Sequence, residues 1–175
     1  GYLKHHIKSR VIFNADYPEI PAGDEIKPSW QELYPNSKEE LPDNMPKPKG
    51  KAVVVTTMFD ADHAHDMDTR RSVSGVLLFL NKTPIQSYCK RQNVIESSTY
   101  GSEMMAGRIA TELTIALRYR LRMLGVPVKG AALAYGDNLS VITSCSIPSS
   151  SLKKKWHAIS YHKMREAVAA GVLCL

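Results

Sequence analysis

Three strand-like runs follow one another before the first helical pattern, and that order restricts the fold more than any composition figure does. "KAVVVTTMF" from Lys51 is β-branched and apolar. "SVSGVLLFL" from Ser72 is a second run, "NKTP" a turn, and "IQSYCK" from Ile85 a third run. Strands so closely spaced form an antiparallel meander. "SSTYGSEMMAGRIATELTIALRYRLRMLG" then predicts one long helix. Ser97, Ser98 and Thr99 are its N-cap candidates, and Gly125 and Pro127 stop it. Met105, Ile109, Leu113, Leu117 and Leu121 recur at spacing four, with Ala106, Ala110 and Ala116 beside that stripe. Arg108, Arg118, Arg120 and Arg122 fall mostly on other faces. "GAALAYG" is a fourth strand, "DNLSVITSC" opens a short helix, "IPSSSLKKK" is a polar loop, and "WHAISYHKMREAVAAG" is a further helix. "VLCL" begins a fifth strand. The expected class is α/β, with a mixed central sheet, three antiparallel strands and then parallel ones, and flanking helices.

Residues 1–50 differ in kind. "RVIFN" predicts a short strand, after which residues 15–50 hold most of the prolines and only isolated apolar residues. They read as a linker or an extended wrap, with Trp30, Leu33 and Tyr34 as anchor points. The start lacks both Met and the apolar core of a signal peptide, so we expect an internal piece of a longer polypeptide. No run of eighteen apolar residues occurs, and no membrane span is expected. Cys89, Cys145 and Cys174 are widely spaced with no CxxC pair, which argues against a disulfide framework or zinc ribbon and suits a reducing compartment. The net charge of +6 favours a polyanionic partner such as nucleic acid, although many basic domains bind none.

Within this basic chain, "TTMFDADHAHDMDTRR" concentrates Asp60, Asp62, Asp66 and Asp68 around His63 and His65. A metal site, a solvated turn and an accident of composition all fit that cluster. Asp60 follows the first strand and Asp137 the fourth, so side-by-side strands would bring both carboxylates to one sheet edge. Glu103 lies in the first turns of the long helix among apolar residues, where an acid is costly unless a cation meets it. Three converging carboxylates bind hard cations such as magnesium or manganese. Each acid also has an ordinary reading: Asp60 as a turn residue, Asp137 as a helix N-cap, Glu103 as a partner of the helix dipole. Asp66 and Asp68 read as turn acids offset by Arg70 and Arg71. Asp62 is expected to face away from Asp60. His63 and His65 have no third nitrogen or sulfur ligand paired with them.

The ordered motifs resemble the ribonuclease H domain of copia-type retrotransposon Pol polyproteins. "FDADHAHDMDTRRSVSGVLLFL" is similar to that family's Asp-Ala-Asp stretch leading to Arg-Arg-Ser-x-Ser-Gly and a hydrophobic strand. "PIQSYCKRQNVIESSTYGSEMMA" resembles its Ser-Lys-Lys-Gln segment followed by Ser-Ser-Thr and an acidic helix start. "YGDNLSVI" resembles its Asp-Asn-x-Ser-Ala-Ile, and "YHKMRE" its Tyr-His-x-x-Arg-Glu. These motifs span roughly residues 53–175. The resemblance implies a ribonuclease H-like fold over 51–175, truncated before its last helix, with residues 1–50 as a reverse transcriptase tail and connection. It makes Asp60, Glu103 and Asp137 the catalytic and metal-holding residues for two Mg2+ ions, with Mn2+ as a substitute. The family's fourth acid lies beyond the fifth strand, past "GVLCL", and His162 is the nearest alternative, read as structural or substrate-side.

The activity so implied is metal-dependent endonucleolytic hydrolysis of the RNA strand of RNA–DNA hybrids during reverse transcription. Arg70, Lys90, Arg91, Asn138, Lys153, Lys154, Lys155 and His162 would contact the hybrid. Each basic residue among them is otherwise a solvated surface charge. The upstream reverse transcriptase of the same polyprotein would be the protein partner, in an intracellular setting, either a cytoplasmic particle or the nucleus. Two other readings compete: a non-catalytic or decayed module that binds nucleic acid or is structural, and another nuclease of this fold, such as an integrase or resolvase, that cuts DNA.

Overall fold

The strand runs form one five-stranded sheet of order β3-β2-β1-β4-β5. A computed structural model describes residues 8, 10–19, 29–152 and 154–175. β1 (Val55–Asp62), β2 (Val73–Leu80) and β3 (Thr83–Arg91) make the antiparallel meander. β4 (Ala132–Tyr135) then pairs parallel with β1, and β5 (Leu173–Cys174) parallel with β4. The switch from antiparallel to parallel pairing needs a crossover, which the long helix α1 (Thr99–Met123) supplies. The turn between β2 and β3 is tighter than "NKTP" suggests. Asn81 takes a φ of 54°, its side chain accepts the Val54 N–H, and Thr83 and Pro84 already belong to β3. Pro84 is tolerated because β3 is an edge strand and the β2–β3 register shifts beside it.

Burial alternates along β1: Val55, Thr57, Phe59 and Ala61 are covered, while Met58, Asp60 and Asp62 are exposed. The covered set meets α1, where Thr57 Oγ1 lies 2.7 Å from Thr114 Oγ1. The short helix α2 (Leu139–Ser146) and α3 (Ala158–Ala169) pack on α1. Met104, Val141, Cys145 and Met164 close the core between the helices.

The buried stripe of α1 is not the one that spacing four predicts. Met104, Gly107, Ala110, Thr114, Leu117 and Leu121 are buried, whereas Met105, Ile109 and Leu113 are only half-buried. A step of four residues overshoots one turn by about 40°, so a pure spacing-four series winds off the face it starts on. Alternating steps of three and four stay on it. Arg118 also departs from expectation, being 2% exposed.

The partner that makes this burial tolerable lies in the proline-rich segment. Glu39 accepts hydrogen bonds from Arg118 Nε and Nη2 at 2.7 and 2.9 Å, and from Arg122 Nη1 and Nη2 at 2.6 and 2.7 Å. Trp30 and Tyr34 bracket the Arg165 guanidinium at 4.7 and 5.8 Å. Tyr17 donates to Ala52 O, and Lys51 and Lys129 lie over its ring. Of the two readings for this segment, these contacts fit the wrap. Trp30 and Tyr34 act as anchors, while Leu33 stays half exposed. The expected strand at Arg10–Asn14 is absent. Val11, Ile12 and Phe13 are exposed, so nothing rewards pairing there, and Asn14 is held instead by Thr83 Oγ1. Residues 1–7, which the connection reading also covers, lie outside the described residues.

Candidate metal centre

Parallel pairing of β1 with β4 sets Met58 opposite Tyr135, so the chain leaving β4 runs beside the last residues of β1. Close approach here depends on Gly136. A Cβ on it would lie 2.5 Å from Phe59 Cζ, so a side chain there would force the buried Phe59 ring or the end of β4 to shift. Asp137 therefore arrives beside Asp60. Glu103 comes from the second turn of α1; it is 3% exposed, and its Oε1 accepts the Ala61 N–H at 3.2 Å. Asp60 Oδ1 accepts the same N–H at 2.8 Å. One carboxylate oxygen from each of Asp60, Glu103 and Asp137 lies within 4.8 Å of the others.

The ordinary readings of these acids fit the geometry poorly. Asp60 lies inside β1 rather than in a turn, since the strand continues to Asp62. The N-cap of α2 is Asn138, whose side chain accepts the Val141 N–H, so Asp137 caps nothing there. Glu103 lies beyond the first turn of α1, which holds no acid. Its Oε2 is buried without a hydrogen-bond partner among the described residues. Burial, then the nearby Asp137 and, more weakly, Asp60, push the Glu103 pKa up to about 7, against the lowering effect of the Ala61 N–H. An oxygen-only site with an orphaned carboxylate oxygen fits a hard divalent cation.

This shift fixes a pH dependence. A carboxyl raised from the ordinary 4.5 favours the folded state while protonated, so its contribution is full below about 4.5 and lost as pH rises through about 7. A cation needs the ionised form, so metal affinity runs the other way and climbs across the same window. We expect metal-free melts to lose stability between pH 5 and pH 8, while divalent-ion titrations tighten. Glu103→Gln should flatten the first trend; an unchanged slope in that variant would refute this assignment.

The remaining acids separate from the centre. Asp62 does not face away: residues two apart in a strand share a face, and β1 includes both Asp60 and Asp62. It stands apart by pairing with His65 Nδ1. His63 Nδ1 contacts Ser102 Oγ at 3.3 Å. Asp66 is offset by Arg91 rather than by Arg70 or Arg71. The Thr69 N–H, then Arg91, hold its pKa at about 2. Arg71 Nε is buried without a partner among the described residues, and Arg70 points at the Met67 sulfur with a φ of 55°.

The residues expected to contact substrate are scattered in role. Lys90 is exposed at the end of β3 and Lys155 in a 3-10 turn, while Arg91 is engaged by Asp66. Asn138 is a helix cap. Lys154 Nζ donates to Ser98 Oγ, at the α1 N-cap, and lies 6.0 Å from the Trp156 ring centroid. Lys153 lies outside the described residues. His162 Nδ1 is 2.7 Å from the Tyr34 hydroxyl. That contact fits the structural side of its earlier reading.

No family model matches the chain. Two solved structures share its architecture. Ribonuclease H1 of the halophilic archaeon Halobacterium salinarum superposes with a TM-score of 0.50 at 12% identity, covering 68% of this chain and 80% of that one. An N-terminal ribonuclease H domain from Mycobacterium tuberculosis gives 0.51 at 12% identity, covering 70% and 78%. The fold is that of ribonuclease H. Its relatives in sequence include retrovirus-related Pol polyproteins from transposons RE2 and RE1 of Arabidopsis thaliana, each 29% identical over 126 residues, or 71% of this chain. The matched stretch is 9% and 8% of those polyproteins. On this ribonuclease H fold, no helix among the described residues is long and apolar enough to cross a membrane.

Sequence reasoning missed two contributors to the site and its support. Gly136 was visible as the Gly of "YGDN", but only the Phe59 contact gives it a purpose. Glu39 carries no local signature, because its partners are distant in sequence.

Proposed function

We propose that this chain is a copia-type retrotransposon ribonuclease H, an endonuclease hydrolysing the RNA strand of RNA–DNA hybrids with two Mg2+ ions, for which Mn2+ can substitute. One observation carries the reading: Asp60, Glu103 and Asp137 converge on a ribonuclease H fold. Relatedness to transposon Pol polyproteins supports the setting. When bound, such ions activate water and stabilise the leaving 3′-oxygen. Asp60, Glu103 and Asp137 would hold them, Glu103 after giving up its proton. Lys90, Lys154 and Lys155 would take backbone phosphates, and contacts to the 2′-hydroxyl would separate RNA from DNA.

In this reading residues 51–175 are the nuclease domain and residues 1–50 the reverse transcriptase tail and connection. The upstream reverse transcriptase is its partner, in an intracellular particle or the nucleus. The test uses end-labelled RNA–DNA hybrid, duplex RNA and duplex DNA with the purified chain. Cleavage of the RNA strand of the hybrid is expected in Mg2+ or Mn2+ and none in chelator. Hybrid binding without cleavage in either metal would assign a non-catalytic module instead, and DNA strand cleavage another nuclease chemistry of this fold.

A further inference from the structure

Gln92 directly follows β3 and is 5% exposed. Its backbone N–H donates to Ser72 O at 2.8 Å, which extends the β2–β3 ladder by one step. Its side chain leaves that ladder for the helix. Nε2 donates to Ser74 Oγ at 2.8 Å and to the Ser102 carbonyl at 3.0 Å. The orientation of the amide follows from the second bond, since the Ser102 carbonyl needs a donor and the opposite assignment would set Oε1 against it. Oε1 is left buried with no partner among the described residues. A buried amide with an orphaned oxygen is an expensive choice for a core filler. Here both of its donors are engaged.

Those two donors close a loop of contacts that runs through Glu103. Ser74 is the β2 residue paired with Ala61 of β1. The Ala61 N–H donates to Glu103 Oε1. Glu103 follows Ser102, whose carbonyl Gln92 holds. The path therefore runs from Glu103 to Ala61, across the strand pair to Ser74, through Gln92 and back to the residue before Glu103. Each link is a named hydrogen bond or a paired strand position.

We infer that Gln92 is a positioning residue for the metal centre, tying the start of α1 to β2 and so fixing where Glu103 meets Asp60 and Asp137. The inference rests on the metal-site reading above. Loss of the tie frees the first turns of α1 to shift relative to the sheet. Partners that orient metal-holding groups typically change metal affinity by about ten- to a hundredfold when removed.

The experiment is calorimetric titration of Mn2+ into the full chain, with thermal unfolding of the metal-free protein alongside. Gln92→Met keeps length and loses both donors. We expect its Kd for Mn2+ to rise about tenfold or more in protein that still unfolds cooperatively. Ser74→Ala breaks one link and should weaken binding in the same direction. The double variant should be no weaker than Gln92→Met, because both act through one path. Should Gln92→Met fail to fold, Ser74→Ala carries the test alone. A Kd within twofold of the parent in a folded variant, whether or not the melting point falls, makes Gln92 merely structural and overturns the inference. Absence of Mn2+ binding by the parent chain overturns the metal-site reading itself, which keeps the two failures apart.

Discussion

Asp60→Asn is expected to lower cleavage of an RNA–DNA hybrid by about a thousandfold or more, without lowering the melting point of the metal-free protein. The first half follows from the metal-site proposal. Stabilising developing charge through a bound cation is worth several kcal/mol, and each 1.4 kcal/mol of barrier is tenfold in rate. The second half follows from electrostatics. Asp60 is exposed, and its carboxylate adds to the repulsion that raises the Glu103 pKa. An amide at this position keeps an oxygen for the Ala61 N–H that Asp60 Oδ1 now accepts. Removing the charge thus relieves strain that a cation would otherwise neutralise. Single-turnover rates on labelled hybrid, paired with melts in chelator, read both halves. A variant cleaving as fast as the parent would remove Asp60 from the chemistry. A sharp loss of melting point would make Asp60 a structural residue.

The order of elements was legible because it depends on local pattern. β-branched runs, a capped helix stopped by Gly125 and a strand ending in "YGD" each announce themselves over a few residues. Asp60, Glu103 and Asp137 could be nominated for the same reason, as acids placed at element ends. What failed was geometry finer than element order. The apolar stripe of α1 was displaced because four-residue steps drift around a helix, and Asp62 was misassigned to the opposite face although period two puts it with Asp60. The ion pair of Arg91 with Asp66 leaves no local trace, because the two lie 25 residues apart.

The least legible feature is the one that holds the proline-rich segment down. Arg118 reads as a surface charge on a helix, and Glu39 as one of several scattered acids. Their separation of 79 residues leaves no local trace. Only folding shows that Arg118 faces the wrap and that Gly130 O supplies a further acceptor for it. The consequence is that the proposed boundary at Lys51 divides residues in direct contact. A boundary at Lys51 would cut off Glu39, Tyr34 and Trp30, all of which touch α1 or α3 side chains.

Glu39→Leu is accordingly expected to destabilise the chain by about 3–5 kcal/mol, because it leaves a buried guanidinium with one carbonyl in place of a bidentate carboxylate. The Glu39 side chain is 19% exposed and that of Arg118 2%, so little water can replace the lost partner. Burial pushes the Glu39 pKa up, but hydrogen bonds and charge from Arg118 and then Arg122 outweigh it, leaving the pKa below 4.5. A depressed carboxyl stabilises the fold above about 4.5 and loses that contribution as pH falls through its folded value. The parent should thus show an acid-side loss of stability that Glu39→Leu lacks. Adding Arg118→Met to Glu39→Leu should recover part of the loss, since it removes the more deeply buried unpaired charge and leaves that of Arg122. Urea midpoints for the parent, both variants and a chain beginning at residue 51 measure the effect. The shortened chain should fall at least as far as Glu39→Leu, whereas one beginning at residue 29, which keeps Glu39, Tyr34 and Trp30 but loses the Asn14 and Tyr17 contacts, should fall less. A chain from residue 51 as stable as the parent would show that the wrap is dispensable and that Arg118 finds another partner.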